Sequence, residues 1–302
     1  MTDTSLGSDL DDVFGVVAND TRFAILRALW DAHTETPAEI EGPQREPVPF
    51  SVLRERVGVR DSGRFNYHLA ELVPRFVKHR EDGYALTHAG ARIIGAVVSG
   101  VYTETETELD ATDIGDCGGS NCDGTLETSY ENGHVTVECD ACDVRTVMHA
   151  PPILVEAHDL ESNRDALRQY TLTEIQRTVR GFCSVCTGPV DARVAQPVLA
   201  GEERTDDRVE IVHECRECGA VSHTSAVAFL LDHPAVVSLL HDAGIDYRDV
   251  ALWKRPSGVS SEEHLRSGDP VRIEVSVTVE DETLAFVLDG DLEVLEYGRV
   301  GK

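Results

Sequence analysis

Eight cysteines constrain this chain more than any other residue type, because all of them fall into two local sets of four. Cys117 and Cys122 stand with Cys139 and Cys142, and Cys183 and Cys186 stand with Cys215 and Cys218. Within each set two close pairs are separated by 16 or 28 residues, and three of the four close pairs read C-x2-C. Two thiols on one tight knuckle can aim both sulfurs at one point, and a second knuckle on a facing hairpin completes a tetrahedron. Gly118, Gly119, Gly124, Gly188 and Gly219 stand beside the knuckles, where such turns need backbone freedom.

This spacing is the zinc-ribbon pattern, and it predicts two structural Zn2+ ions, each closed by four thiolates. Metal binding offsets the small core of a ribbon of about 35 residues, where burial alone is marginal. A catalytic zinc would keep an open position, usually with three protein ligands, and a disulfide framework would need an oxidising compartment. Residues 1–12 are acidic and polar rather than the pattern of an export signal, so a cytoplasmic protein is expected. The C-x4-C pair is the least typical, which leaves His134 or His149 as an alternative ligand in the first set. His213 and His223, beside the second set, read as surface or supporting residues.

Residues 50–90, FSVLRERVGVRDSGRFNYHLAELVPRFVKHREDGYALTHAG, carry a different signal. Ser51 can cap a helix with Val52, Leu53 and Val57 on its apolar face, and Gly58 supplies the left-handed stop. After a short turn, Asp61 or Ser62 can cap a second helix, about 62–72, in which Phe65, Leu69 and Leu72 share one face. Arg64, Tyr67 and His68 fall on the other. Pro74 ends it, and residues 76–87 read as strand, tight turn and strand. Helix, turn, helix and hairpin make a winged helix-turn-helix. Residues 50–92 hold eight Arg and Lys against five Asp and Glu, a basic island in a chain of net charge −28.

The phrases NDTRFAILRAL, FSVLRERVGVRDSGRFNYHLAEL and DGYALTHAG resemble the ArsR-type winged-helix transcriptional regulators, in the version common in halophilic archaea. The resemblance covers roughly the first third of the chain. It implies a recognition helix in the major groove of double-stranded DNA and a basic wing in or beside the minor groove. Arg64 and Tyr67 would read bases, while Ser62, Gly63, Asn66, His68, Arg75, Lys78, His79 and Arg80 complete the DNA-facing set, mostly on phosphate and sugar. It also implies a homodimer. The metal-sensing members carry a Cys pair in the helix before the turn, and residues 50–58 have none. Release by metal at that position is therefore not implied.

A strong negative charge ordinarily argues against nucleic acid as a partner. Here, however, Lys78, Lys254 and Lys302 are the sole lysines, against 55 Asp and Glu. That balance resembles halophilic cytoplasmic proteins, and in molar salt the Debye length shrinks to ~3 Å, which removes long-range repulsion. The same screening weakens counterion release, so base-edge contacts must carry a larger share of binding.

The remainder reads as scaffold. Residues 1–9 suggest a tail, 10–17 a first helix, a helix capped by Asn19 or Asp20 follows, and 31–49 suggest an exposed loop. Residues 89–101 form a small-residue apolar helix that packs on a partner copy or on its own domain, and 103–113 read as an acidic linker. Residues 163–180 predict a helix, Pro234 starts another that ends near Gly244, and 271–279 alternate strictly, as a half-buried strand does. Residues 284–288 and 292–297 suggest partner strands. No apolar run approaches the ~18 residues of a membrane span. The expected fold class is α+β: a winged helix-turn-helix at 1–105, a first zinc ribbon at 106–150, and a second within an α+β domain at 151–302. No phosphate loop, nucleophile motif or acid/base pair appears, so an enzyme is not expected. The leading expectation is a sequence-specific DNA-binding regulator whose C-terminal half receives a protein or small-molecule effector. The alternative is a zinc-ribbon adaptor that docks on proteins of the transcription machinery; the acidic residues Glu127, Glu131, Glu138, Asp140 and Asp143 allow protein contact there but disfavour nucleic acid.

Overall fold

The computed structural model describes residues 14–35, 47–102, 107–117, 122–142, 145–157, 160–195, 209–249 and 258–300. Two compact units divide the chain, Met1–Thr105 and Glu106–Lys302. The architecture is mixed α+β with antiparallel sheets of two, four, four and three strands among the described residues.

In the first unit, helix α1 (Asp20–Glu35) begins at Asn19, whose side-chain oxygen accepts the N–H groups of Thr21 and Arg22 at 3.1 and 3.2 Å. Ile25, Leu26 and Leu29 line its buried face. The helix runs five residues, 31–35, into the stretch expected to be an exposed loop. Of that stretch, residues 36–46 lie outside the described residues, as do the tail at 1–9 and residues 10–13 of the proposed first helix. Helix α2 (Phe50–Val57) starts directly after Pro49 with no side-chain cap, so the expected capping role of Ser51 is not observed. Proline supplies a fixed φ there instead. Gly58 ends α2 at φ +73°, as the sequence indicated.

Helix α3 (Ser62–Leu72) is capped by Asp61, which accepts from the N–H groups of Gly63 and Arg64 at 2.8 and 3.1 Å. Phe65, Leu69 and Leu72 are fully buried and meet Leu53 of α2, Leu26 and Leu29 of α1, and Phe76. Phe50 packs edge-on to Phe65 with centroids 5.1 Å apart. Strands β1 (Val77–Arg80) and β2 (Gly83–Leu86) form a hairpin in which Val77 pairs with Leu86. Val48 bridges to Tyr84, bringing its carbonyl so near Gly83 that a Cβ there would lie 2.3 Å away. Only glycine fits that approach. Helix α4 (His88–Val98), capped by Thr87, buries Ile94 and closes the core.

The second unit opens with a meander of β3 (Leu109–Asp116), β4 (Thr125–Glu131), β5 (His134–Cys139) and β6 (Arg145–His149). A strand therefore occupies part of the expected acidic linker; residues 103–106 of that linker lie outside the described residues. Leu126, Tyr130, Val135 and Val137 bury one face against Val155 of α5 (Ile153–Glu156) and Leu167 of α6 (Leu160–Val179). Strands β7 (Val190–Val194), β8 (Glu210–Cys215) and β9 (Val221–Ser225) form the three-stranded sheet. A 3-10 turn at Ala226–Leu230 and helix α7 (Pro234–Asp242) follow, with Pro234 in the first turn and Gly244 left-handed just beyond the end.

The C-terminal meander is β10 (Val259–Gly268), β11 (Val271–Val279), β12 (Glu282–Leu288) and β13 (Val294–Val300). In β11, Ile273, Val275, Val277 and Val279 point inward while Arg272, Glu274, Ser276 and Thr278 stay half-exposed, matching the alternation in the sequence. These residues share one core with Ile211 of β8 and Val236, Leu239 and Leu240 of α7. The C-terminal region is thus mostly sheet, with more strand than the small α+β domain expected, because the polar β10 carries no apolar alternation. No described helix is long and apolar enough to cross a membrane.

Candidate functional site

The first cysteine set is assembled by the end of β3, the start of β4 and the turn after β5. Cys117 N–H donates to the Gly124 carbonyl at 2.8 Å, and the Asp140 carboxylate accepts the Thr125 N–H at 2.7 Å, so the two knuckles are locked face to face. The Sγ atoms of Cys117 and Cys142 lie 3.7 Å apart and those of Cys122 and Cys139 3.6 Å, and all four fall within 4.8 Å of one another. A Cβ on Gly124 would sit 2.7 Å from Cys139 Sγ, so glycine is required for the knuckles to close. Gly118, Gly119 and Asp143 lie outside the described residues. His134 and His149 sit at the opposite end of β5 from Cys139, so neither replaces a cysteine.

The second set has the same construction. Cys183 follows α6, Cys215 ends β8, and the cross-knuckle separations are 3.7 Å for Cys183 and Cys218 and 3.5 Å for Cys186 and Cys215. All four sulfurs again lie within 4.8 Å of one another. These separations far exceed the ~2.05 Å of a disulfide, and four convergent sulfurs could hold a metal ion in each set.

Backbone N–H groups aim at the sulfurs: Gly124 at Cys122, Ala141 at Cys139, Val185 at Cys183 and Gly188 at Cys186, at 3.3 to 3.4 Å. Such donors favour thiolates. Burial raises the Cys183 thiol, but the N–H groups of Cys186 and Val185 outweigh it and bring the pKa down to about 7. Cys139 and Cys215 are lowered chiefly by the N–H groups of Ala141 and Cys218. At Cys186 the Gly188 donor is outweighed by the neighbouring Cys215 and Cys218 sulfurs, which push it up to about 12. His213, expected at the surface or in support, is buried: its Nε2 lies 2.8 Å from Thr224 Oγ1 and its ring stacks on Phe229. Burial lowers its pKa to about 4, so it is neutral.

In the first unit, Ser62, Gly63, Arg64, Asn66 and Tyr67 form the solvent-facing side of α3, with Tyr67 57% exposed. Arg75 and His79 are exposed, and Lys78 and Arg80 half-exposed, on and beside β1; His79 packs on Tyr84 at 4.7 Å. His68 does not join this face. It is buried beside Leu69 and Leu72, its Nδ1 has no partner among the described residues, and burial followed by the Arg22 and Arg64 charges lowers its pKa.

One group escaped sequence reasoning. Glu263 of β10 is buried, and its carboxylate accepts the N–H groups of Val209 at 3.1 Å, Ala226 at 3.2 Å and Val227 at 2.9 Å. It ties the approach to β8 and the start of the 3-10 turn to the C-terminal sheet.

A family model described as a domain of unknown function, DUF7351, matches residues 115–294, more than half of the chain. The chain belongs to the DUF7351 family. The DUF7351 region contains both cysteine clusters and Glu263. A second model, DUF7347, also a domain of unknown function, matches residues 10–97, which hold α1 to α3 and all but the last residue of α4. No curated protein and no solved structure matches this DUF7351 chain.

Proposed function

We propose that the chain is a sequence-specific DNA-binding transcriptional regulator, that residues 20–98 are a winged helix-turn-helix of the ArsR type, and that each cysteine cluster holds a structural zinc ion. The observation that carries the reading is the capped helix α3, buried on Phe65, Leu69 and Leu72, with Arg64, Asn66 and Tyr67 exposed along one side and the basic hairpin following it. A helix anchored in this way presents short polar and cationic side chains to base edges, and Arg75, Lys78, His79 and Arg80 supply phosphate contacts. His68 is omitted from the interface because it is buried. Helix α4 and the residues just after it, including exposed Val101 and Tyr102, offer an apolar surface for a second copy.

Zinc is the metal that suits the clusters. Four sulfurs 2.3 Å from one centre stand about 3.8 Å apart, close to the separations of 3.5 to 3.7 Å. With four protein ligands the ion is closed to substrate, and its contribution is to folding. A cytoplasmic location accords with reduced thiolates.

The test is fluorescence anisotropy with the purified protein and DNA from its own upstream region, in molar potassium chloride with unrelated competitor DNA. Selective binding is expected, and Arg64→Ala should relax specificity at one position at a cost of ~1–3 kcal/mol. Unchanged preference in that variant sinks the assignment of Arg64. The second reading, a protein-docking adaptor, is favoured by exposed Phe182, Val185 and Val221 around the second cluster, and a complete lack of DNA selectivity would support it.

A further inference from the structure

On the β3–β6 sheet, the face opposite buried Tyr130, Val135 and Val137 carries a row of potential ligands. Glu131 pairs with His134, and His134 pairs with His149, so the three stand side by side on adjacent strands. Residues directly opposite on neighbouring strands have Cβ atoms ~5 Å apart, so His134 can meet either neighbour, while Glu131 and His149 stand two strands, ~10 Å, apart and must turn toward His134 to share an ion with it. Both imidazoles are exposed, with centroids 4.4 Å apart and planes inclined by 34°.

Two further observations make this more than a surface coincidence. His134 Nδ1 lies 2.9 Å from the Asn132 carbonyl oxygen. A carbonyl can only accept, so Nδ1 carries the proton and Nε2 of the neutral ring is left with its lone pair. A backbone carbonyl orients metal-ligating histidines in this same manner. The second ring also lies over this turn, its Cε1 at ordinary contact distance, 3.4 Å, from where a Cβ on Gly133 would stand. Glu131 is exposed and, among the described residues, accepts from the neighbouring Asn132 amide at 3.2 Å, so rotation of its side chain costs one surface hydrogen bond.

We propose that His134 and His149, with Glu131 as a third ligand, form a site for one divalent transition cation, separate from the cysteine clusters. Two imidazoles and a carboxylate suit Zn2+, Ni2+ or Cu2+ and disfavour Ca2+ and Mg2+, which take oxygen ligands. An ion there links β4, β5 and β6 at the end of the sheet opposite Cys139, so that the module is held at both ends. The site draws on none of the residues that the DNA-binding reading uses.

The experiment is a Ni2+ titration of the zinc-loaded full chain, read by calorimetry, by zinc content and by paramagnetic broadening of histidine ring signals. The expected result is one Ni2+ per chain with no loss of zinc, and the His134 and His149 signals broadening before those of the other ten histidines among 12. His134→Gln and His149→Gln should each weaken uptake at least about tenfold, and Glu131→Gln by a smaller factor, with the circular dichroism spectrum unchanged because all three side chains are exposed. Uptake accompanied by zinc release, broadening centred on other histidines, or equal uptake by both histidine variants overturns the proposal.

Discussion

Replacing Glu263 with alanine removes a buried carboxylate and strands two backbone donors, those of Val209 and Val227, while the Ala226 N–H keeps its 3.2 Å bond to the Val209 carbonyl. Hydrogen bonds to a charged acceptor contribute roughly 1.5–3 kcal/mol each, and a buried donor left unpaired costs ~1–3 kcal/mol. The bonds are not additive, because the vacated space admits water to some of the donors. The expected loss is therefore about 3–5 kcal/mol rather than the full sum. That is a large share of the ~5–15 kcal/mol that holds a typical domain together. It corresponds to a fall of about 6–20 °C in the melting temperature of a unit of this size. Glu263→Gln keeps one oxygen with two lone pairs but turns an NH2 group toward a donor, so it should fall between wild type and alanine. Urea and thermal unfolding of the zinc-loaded protein, followed by far-ultraviolet circular dichroism, give the comparison. An alanine variant within about 1 kcal/mol of wild type would show that Glu263 does not latch the sheet to the cysteine module.

Gly124→Ala should lower bound zinc from two ions per chain toward one, because its Cβ would intrude to 2.7 Å from Cys139 Sγ; metal analysis of the purified variant decides this. Chelation should unfold the second unit and leave the first intact, since the clusters lie only at 117–142 and 183–218; amide hydrogen exchange, residue by residue, reads both units at once. His68 has a folded-state pKa below the ordinary 6.5, so the unfolded chain binds the proton more readily. Its contribution is present above about pH 6.5 and is lost as pH falls through the folded value. The first unit of His68→Leu should accordingly lose less stability than wild type between pH 6.5 and more acid conditions, in paired denaturation curves; parallel curves would contradict this.

The parts of the fold that were legible are those whose chemistry is local. Thiolates must meet within a few ångströms, which imposes C-x2-C spacing, and β11 is buried on one face, which imposes alternation. Asp61, Gly58 and Pro234 act within one turn of their own helices, and they read correctly. His68 misled because a polar residue was assigned outward, whereas Phe65, His68, Leu69 and Leu72 follow the i, i+3, i+4, i+7 stripe of a buried face. The strand β10 was hidden for a different reason. Its inward residue is a glutamate, and the donors that satisfy it come from residues 209, 226 and 227, which no local pattern reveals. The edge strand β3 has two register breaks against β4 and an acidic sequence, so it resembled a linker. At the candidate DNA-facing surface, the sequence located the helix and hairpin, but burial decided which side chains are available.

Selection of bound DNA from a random library, carried out in molar potassium chloride with wild-type protein and with Arg64→Ala, tests whether this chain reads DNA sequence. The wild-type protein should enrich a two-fold symmetric site with half-sites one helical turn apart, and the variant should lose information at one position of each half-site. A wild-type pool that stays random, from protein with its zinc bound and both units folded, would contradict the reading of this chain as a sequence-specific regulator.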